Sequence, residues 1–321
     1  MALRQPDGYD IIGDIHGQAG ALRRLLERLG YRTDGGAYRY PGGRRQAIFI
    51  GDYIDRNPAG LEVVDIVRKM SDTGDAMAIM GNHEFNAVAY HTEDPDSRGT
   101  HLRPHTDKNE RQHKAFLEET ESNPTARAAA TRWFRSLPMW LDLGEVRVVH
   151  ASWVPRHKTY VASQVQNPQA PLSEPLLFEA TCKGTEGHAA VECLLKGLEV
   201  QLPDGAGYED KDGTRRTNGR LRWWFNEPPR RLRDALIAAP KMLNQLGDKP
   251  WTGPWPADAG YPADAAPVFI GHYWLTGEPQ PLARNVACVD YSAARTGQKL
   301  VAYRWDGEST LETAKFASVP T

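Results

Sequence analysis

Five places in the chain set a hard ligand directly behind a short apolar run: Asp14 with His16, Asp52 with Asp55, Asn82 with His83, His150, and His272. Carboxylate, amide oxygen and imidazole together suit borderline divalent ions such as manganese, iron or zinc, and no thiolate stands among them to favour a structural zinc. One carboxylate serving two ions would hold them about 3.5–4 Å apart, the separation that clamps both oxygens of an in-line displacement at phosphorus. A hydroxide bridging such a pair would have its pKa lowered by both charges. The densest stretch is Ala47 to Arg56, where the apolar run Ala47 to Ile50 meets Gly51 and then Asp52, Asp55 and Arg56. Charges crowded against a buried strand are costly unless they are paired or bind metal. Taken alone, the same residues also fit a surface turn held by an Asp–Arg salt bridge.

For these groups to meet, the strands that carry them must lie side by side and end at one edge, where open α/β sheets place their ligand crevice. Tyr9 to Ile12 reads as a strand. A helix follows from about Ala19 to Leu29, with Leu22, Leu25, Leu26 and Leu29 on one face and Gly30 as its stop. Gly35 to Gly43 is a turn-rich hairpin. Pro58 opens a second helix whose stripe is Leu61, Val64 and Val67, and Ala76 to Met80 is a third strand. This alternation is that of βαβ units, so the fold class is α/β with a largely parallel sheet. Val146 to Val149 and Val268 to Ile270 resume the core, and Val286 to Val289 and Leu300 to Arg304 read as antiparallel closing strands.

Two segments break the rhythm. Residues 91–135 are polar and carry His91, His101, His105 and His113 without tight metal spacing, so solvated helices and loops are expected. Pro155 to about Pro267 is rich in Pro, Gly and charge, with helical pieces near Glu186–Val200 and Arg231–Leu246. It reads as an insertion or lid over the crevice, within a single domain spanning 1–321.

The 321 residues carry a net charge of −2 and a pI near 6.6, so no global field recruits nucleic acid or an anionic membrane. Three cysteines, Cys182, Cys193 and Cys288, are too few and too scattered for a disulfide scaffold. The first residues hold no apolar signal region, and no run approaches about 18 apolar residues. These features predict a soluble, cytoplasmic protein.

Asp14-Ile15-His16-Gly17, Gly51-Asp52-Tyr53-Ile54-Asp55-Arg56, Gly81-Asn82-His83-Glu84, the strand-capping His150 and Gly271-His272 together resemble the signature of calcineurin-like metallophosphoesterases. The resemblance is to the phosphoprotein phosphatase branch, which includes bacterial diadenosine tetraphosphate hydrolases. It runs almost continuously over 9–90 and returns at 146–153 and 268–304. It implies a β-sandwich flanked by helices with a dimetal site at its edge. Asp14, His16 and Asp52 would hold one ion, and Asp52, Asn82, His150 and His272 the other. Manganese is the expected metal, with iron, zinc, cobalt or nickel as alternatives. His83 resembles the general acid that protonates the leaving oxygen, steered by Asp55, and Arg56 the arginine that binds phosphoryl oxygens. Asn82 would also face the substrate. Three departures stand out. Asn57-Pro58 follows the Asp-Arg pair where the family usually has Gly. Trp274 replaces a second histidine of the wider superfamily. No second phosphate-binding arginine has a clear match, which leaves Arg220 and Arg222 as candidates.

The expected activity is hydrolysis of a phosphoester or anhydride by metal-bound hydroxide, without a covalent intermediate. Dinucleoside polyphosphates are the first substrate, and a phosphoprotein, polynucleotide or phosphomonoester the alternative. A regulatory protein with a vestigial metal site is the non-enzymatic rival. Trp223, Trp224 and Phe225 are either a base-stacking wall or packing. Cys182, His188 and Cys193 lack a fourth metal ligand and read as packed thiols. Glu84 is expected to hold its turn, and Tyr291 either faces the site or packs in the core.

Overall fold

The computed structural model describes residues 6–209 and 213–321. β1 (Gly8–Ile12) leads into α1 (Ala19–Leu29), the hairpin β2 (Arg32–Asp34) and β3 (Ala37–Arg39), and then β4 (Arg45–Phe49). α2 (Gly60–Asp72), β5 (Ala76–Ala78) and α3 (Asn82–Tyr90) complete the first βαβ series, followed by α4 (Asp107–Thr120) and α5 (Pro124–Arg135). β6 (Trp140–Asp142) and β7 (Arg147–Val149) precede three helices, α6 (Pro155–Gln164), α7 (Glu174–Thr181) and α8 (Glu186–Lys196). Short pieces follow: β8 (Glu199–Gln201), β9 (Tyr208–Glu209), β10 (Arg215–Arg216), β11 (Asn218–Arg220), α9 (Leu232–Ala235) and α10 (Pro240–Leu243). β12 (Val268–Ile270), β13 (Val286–Cys288), β14 (Lys299–Trp305) and β15 (Phe316–Pro320) close the chain.

Two sheets form a sandwich. One has the order β15-β14-β1-β4-β5 and the other β13-β12-β7-β6. Ile11, Ile48 and Ile79 from the first face Val148, Phe269 and Ala287 from the second in a buried cluster, and the Phe269 and Tyr303 rings touch at 4.9 Å. The alternate residues Ile12, Ala47 and Phe49 face outward, under helices α1 and α2. That alternation follows from the two-residue period of a strand. α1 has the bounds its leucine spacing predicts, and Gly30 ends it at φ +102°.

The register sets the functional edge. β1, β4 and β5 are parallel, with Ile12 opposite Phe49 and Phe49 opposite Ala78. The residues beyond them, Asp14, Asp52 and Asn82, therefore emerge at the same level. β12 is parallel to β7, so His150 and His272 leave the second sheet side by side.

Three features differ from expectation. β13 runs parallel to β12, because the chain between them crosses back before re-entering the sheet. β14 is antiparallel to β1, as expected. Residues 155–196 are mainly helical, and Val161, Leu176, Leu177 and Leu194 are buried in the main core. The expected helix at Arg231–Leu246 is two short turns separated at Pro240, which lacks the N–H a continuous helix needs. The 155–267 segment is fastened to the chain just after the strand that leads into His150. Ala151 N donates to Leu194 O (2.9 Å), Leu198 N to Ser152 Oγ (2.9 Å) and Trp223 Nε1 to Ala151 O (3.1 Å).

Two glycines should respond oppositely to alanine. Gly20 lies on the exposed face of α1, where a Cβ meets nothing closer than 3.5 Å, so Gly20→Ala should stabilise by about 0.5–1 kcal/mol. Gly51 sits at φ +101° with its Cβ position against the Gly81 backbone, so Gly51→Ala should cost at least about 1–3 kcal/mol. Urea denaturation of both variants reads the signs directly.

Candidate active site

Asp52 is the centre of the edge. It occupies a left-handed turn (φ +55°) and is almost fully buried. Its Oδ2 lies 3.5 Å from His16 Nε2, and its Oδ1 lies 3.4 Å from His150 Nε2 and accepts from His83 N at 3.0 Å. The two oxygens thus face different imidazoles. Two groupings of potential ligand atoms result, His16 with Asp52 and His83, and Asp52 with His150 and His272. Asn82 Oδ1 joins the second, 2.7 Å from His272 Nδ1 and 3.2 Å from His150 Nε2. Asp14 closes the arrangement, with Oδ2 accepting from His272 N at 3.0 Å.

Two of the histidines are turned by a backbone contact. His16 Nδ1 faces Ile54 O (3.1 Å) and His150 Nδ1 faces Ile50 O (2.8 Å), which leaves Nε2 of each directed inward. Second contacts of this kind fix the tautomer of a metal-binding histidine. Glu84, fully buried, accepts from Asp52 N (2.8 Å), Tyr53 N (2.8 Å) and Gly81 N (3.0 Å), so it holds the turn as expected.

The electrostatics show what the cluster lacks. Burial, then Asp290, pushes the Asp14 carboxyl well above its ordinary range. Burial holds His16 down at about 4 and His272 well below its usual value, so both are neutral with free lone pairs. Burial opposes ionisation of Asp52 too, but the neighbouring histidines, His150 foremost, outweigh it and keep the carboxylate charged. Asp14 Oδ1, His16 Nε2 and His272 Nε2 are buried without a hydrogen-bond partner among the described residues. Such orphaned atoms are rare in a packed interior. A donor set of imidazoles, carboxylates and an amide, with unmet acceptors on Asp14, His16 and His272, fits divalent cations.

Beside this cluster, His83 Nδ1 meets Asp55 Oδ2 at 2.6 Å. The other Asp55 oxygen, Oδ1, lies 2.9 Å from His113 Nδ1. His113 is buried with Phe116 and Thr120 on one face of α4, in the segment expected to be solvated. The only sequence signal was that spacing, a histidine in a stripe that otherwise faces the core. Burial would raise Asp55, but hydrogen bonds from His113 and His83 hold it far below the carboxylate range.

Arg56 is exposed at φ +67°, its guanidinium 5.5 Å from the Trp274 ring centroid. Arg220 lies close enough to His272 to contribute to its lowered pKa. Arg222 turns away: its Nε donates to Leu236 O at 3.0 Å. The base-stacking wall is not formed, because Trp223 is fully buried, Trp224 is 4% exposed, and the two rings pack edge to face. Cys182 is exposed while Cys193 is buried, so they are not a packed pair. Tyr291 is in the core, its hydroxyl accepting from Gln280 N.

Asp55 supplies a stability test. Its depressed pKa contributes stability that is fully present above the unfolded value of about 3.9 and lost as pH falls from there through the folded one. His113→Phe should therefore lower stability at neutral pH by about 1–3 kcal/mol, and the gap should narrow below pH of about 4. Denaturation curves of both proteins across that range check the sign.

Residues 9–179 match the calcineurin-like phosphoesterase family. The asymmetrical bis(5'-nucleosyl)-tetraphosphatase PrpE of Halalkalibacterium halodurans is 44% identical over 75 residues, covering 23% of this chain and 30% of that protein. Its counterpart in Geobacillus thermodenitrificans is 45% identical over 74 residues, with the same coverage. The chain thus spans under a third of the length of these curated relatives. A protein serine/threonine phosphatase of Saccharomyces cerevisiae has a similar fold at 14% identity (TM-score 0.53), covering 99% of this chain and 81% of that one. With the family match extending over more than half its length, and the sandwich bringing five strand ends together at one edge, the chain belongs to the calcineurin-like phosphoesterase family.

Proposed function

We propose that the protein hydrolyses phosphoric ester or anhydride bonds with two divalent metal ions, and that dinucleoside polyphosphates are its substrate class. One observation carries the catalytic part: the buried Asp52 carboxylate faces both histidine groups, while Asp14, His16 and His272 keep acceptor atoms without a hydrogen-bond partner among the described residues. Asp14, His16 and Asp52 would hold one ion, and Asp52, Asn82, His150 and His272 the other. Manganese is the proposed metal. Once bound, the ions would supply Lewis-acid charge to the phosphoryl oxygens and lower the pKa of the attacking water.

The chain's own groups account for the rest. Burial disfavours the imidazolium of His83, but Asp52 and then Asp55 overcome it and raise the His83 pKa. With Nδ1–H given to Asp55, His83 keeps Nε2 toward the Asp52 side, placed to hand a proton to the leaving oxygen. Arg56 carries a guanidinium whose planar fork matches phosphoryl oxygens, and Arg220 adds a second positive charge beside His272. Residues 155–267 would act as a fixed wall of one domain covering 1–321. The substrate class is supported by the relatives named as asymmetrical bis(5'-nucleosyl)-tetraphosphatases.

The test compares diadenosine tetraphosphate, a phosphopeptide and an aryl phosphate with added manganese. Preference for the dinucleotide is expected, and its products separate ATP plus AMP from two ADP. Preference for the phosphopeptide or aryl ester would overturn the substrate class. No turnover of any of them, with metal bound, would favour a regulatory protein. Asp52→Asn should abolish turnover and reduce metal content from about two ions per chain. His83→Ala should lower kcat by about 10²–10⁴ with metal retained.

A further inference from the structure

Three loops meet beside His16, and each carries a residue in a left-handed backbone conformation without being glycine. The loop after β4 has Asp55 and Arg56 (φ +68° and +67°), the loop after β12 has His272 and Trp274 (+70° and +53°), and the loop after β13 has Ser292 (+61°). Such conformations persist only where the surroundings impose them. Here the ties are visible. Buried Asp290 accepts from Trp274 N (2.6 Å) and Ser292 N (2.9 Å), and Ser292 Oγ donates to Leu275 O (3.0 Å). Asn57 Nδ2 reaches both His16 O (2.9 Å) and Ala294 O (3.3 Å). Asn57, which departs from the family's expected glycine, therefore joins the Arg56 turn to the loop that carries Arg295.

The result is a shared platform. The Trp274 ring sits 5.6 Å from the His16 ring, and it receives guanidinium groups from two loops: Arg56 Cζ at 5.5 Å and Arg295 Cζ at 5.0 Å from its centroid. Both arginines are exposed, and neither has a carboxylate partner among the described residues. A single ring offers each cation some attraction, and because both guanidiniums are exposed their N–H donors stay open to a ligand from solvent. An anion between or beyond them would answer both. Arg56 acts on His16 in the metal-ligand cluster, and Arg295 shares the Trp274 ring with it.

We infer that Trp274 and Arg295 form a second phosphoryl subsite next to that of Arg56, so that the site takes a chain of at least two linked phosphoryl groups. The ligand class is a nucleoside oligophosphate or an inorganic oligophosphate. Trp274 acts as the positioning residue, and Arg295 makes the contact. This inference rests on the proposed function for the position of the first phosphoryl group.

The test uses the full chain at constant free manganese, with methylenediphosphonate and methylphosphonate as probes that cannot be hydrolysed. Each is titrated by calorimetry and as an inhibitor of aryl phosphate hydrolysis. Wild-type protein should bind the diphosphonate at least about tenfold more tightly, the scale of one charge-assisted hydrogen bond. Arg295→Gln should remove most of that preference, Arg295→Lys should keep part of it, and Trp274→Leu should reduce it while Trp274→Phe retains more. Equal binding of the two probes by wild type would overturn the subsite. So would Arg295→Gln weakening both probes alike, or neither. A rise in KM for diadenosine tetraphosphate and tripolyphosphate alike in Arg295→Gln would support recognition of the phosphate chain itself, and a rise for the dinucleotide alone would support a nucleotide ligand. If wild type ignores the dinucleotide yet keeps an Arg295-dependent diphosphonate preference, the substrate class falls and the subsite stands.

Discussion

The site depends on one buried carboxylate that does no chemistry. Glu84 accepts three backbone N–H groups, from Asp52, Tyr53 and Gly81, and so clamps the turn after β4 to the turn after β5. The two turns are in contact, since a side chain on Gly51 would strike the Gly81 backbone and one on Gly81 would strike the Asp52 carboxylate. Glu84 is held at the first turn of α3, where an acidic group also suits the helix dipole. Burial, then the charge of Asp52, raises its pKa to about 7, a cost that the three donors partly offset. Asp52 can face two sets of imidazoles only because this clamp fixes its left-handed turn.

The cluster around Asp52 is electrostatically unfinished by design of its neighbours. His150 is raised to about 10 because the Asp52 carboxylate outweighs its burial, while His272, a short distance away, is held neutral. Asp14 is pushed up by burial and by Asp290 rather than being paired. A protein interior ordinarily removes such conflicts by hydrogen bonding. Here they persist among residues drawn from five strand ends, with acceptor atoms of Asp14, His16 and His272 left without a partner among the described residues. Binding of cations would then stabilise the folded state as well as create the chemistry.

What could be read from the sequence was what is local. Each ligand follows its own strand within one to four residues, so the apolar run and the motif lie in a single window, and α1 and β12 were legible to the residue for the same reason. The residues that escaped are those whose partners are distant in the chain. His113 meets Asp55 across 58 positions, and its stripe on α4 is too sparse to separate a buried face from a solvated one. The direction of β13 depends on where the preceding chain crosses, which no strand pattern encodes. Trp223 and Trp224 lie in a charged, Pro-rich stretch whose sequence left packing and a base-stacking wall both open, and the choice falls to packing through a bond from Trp223 to Ala151, more than seventy residues earlier.

That last bond is one of three that tie residues 155–267 to the chain after β7. The residues just after His150 donate to and accept from this segment at Leu194, Leu198 and Trp223, so it is anchored to the strand that delivers a metal-ligand candidate. β11 pairs with β8, which follows α8 closely, and β11 ends in Arg220. The placement of Arg220 near His272 therefore follows from helix packing rather than from a flexible loop. Arg222, two residues on, donates to Leu236 O instead, so the two arginines of the pair have different surroundings.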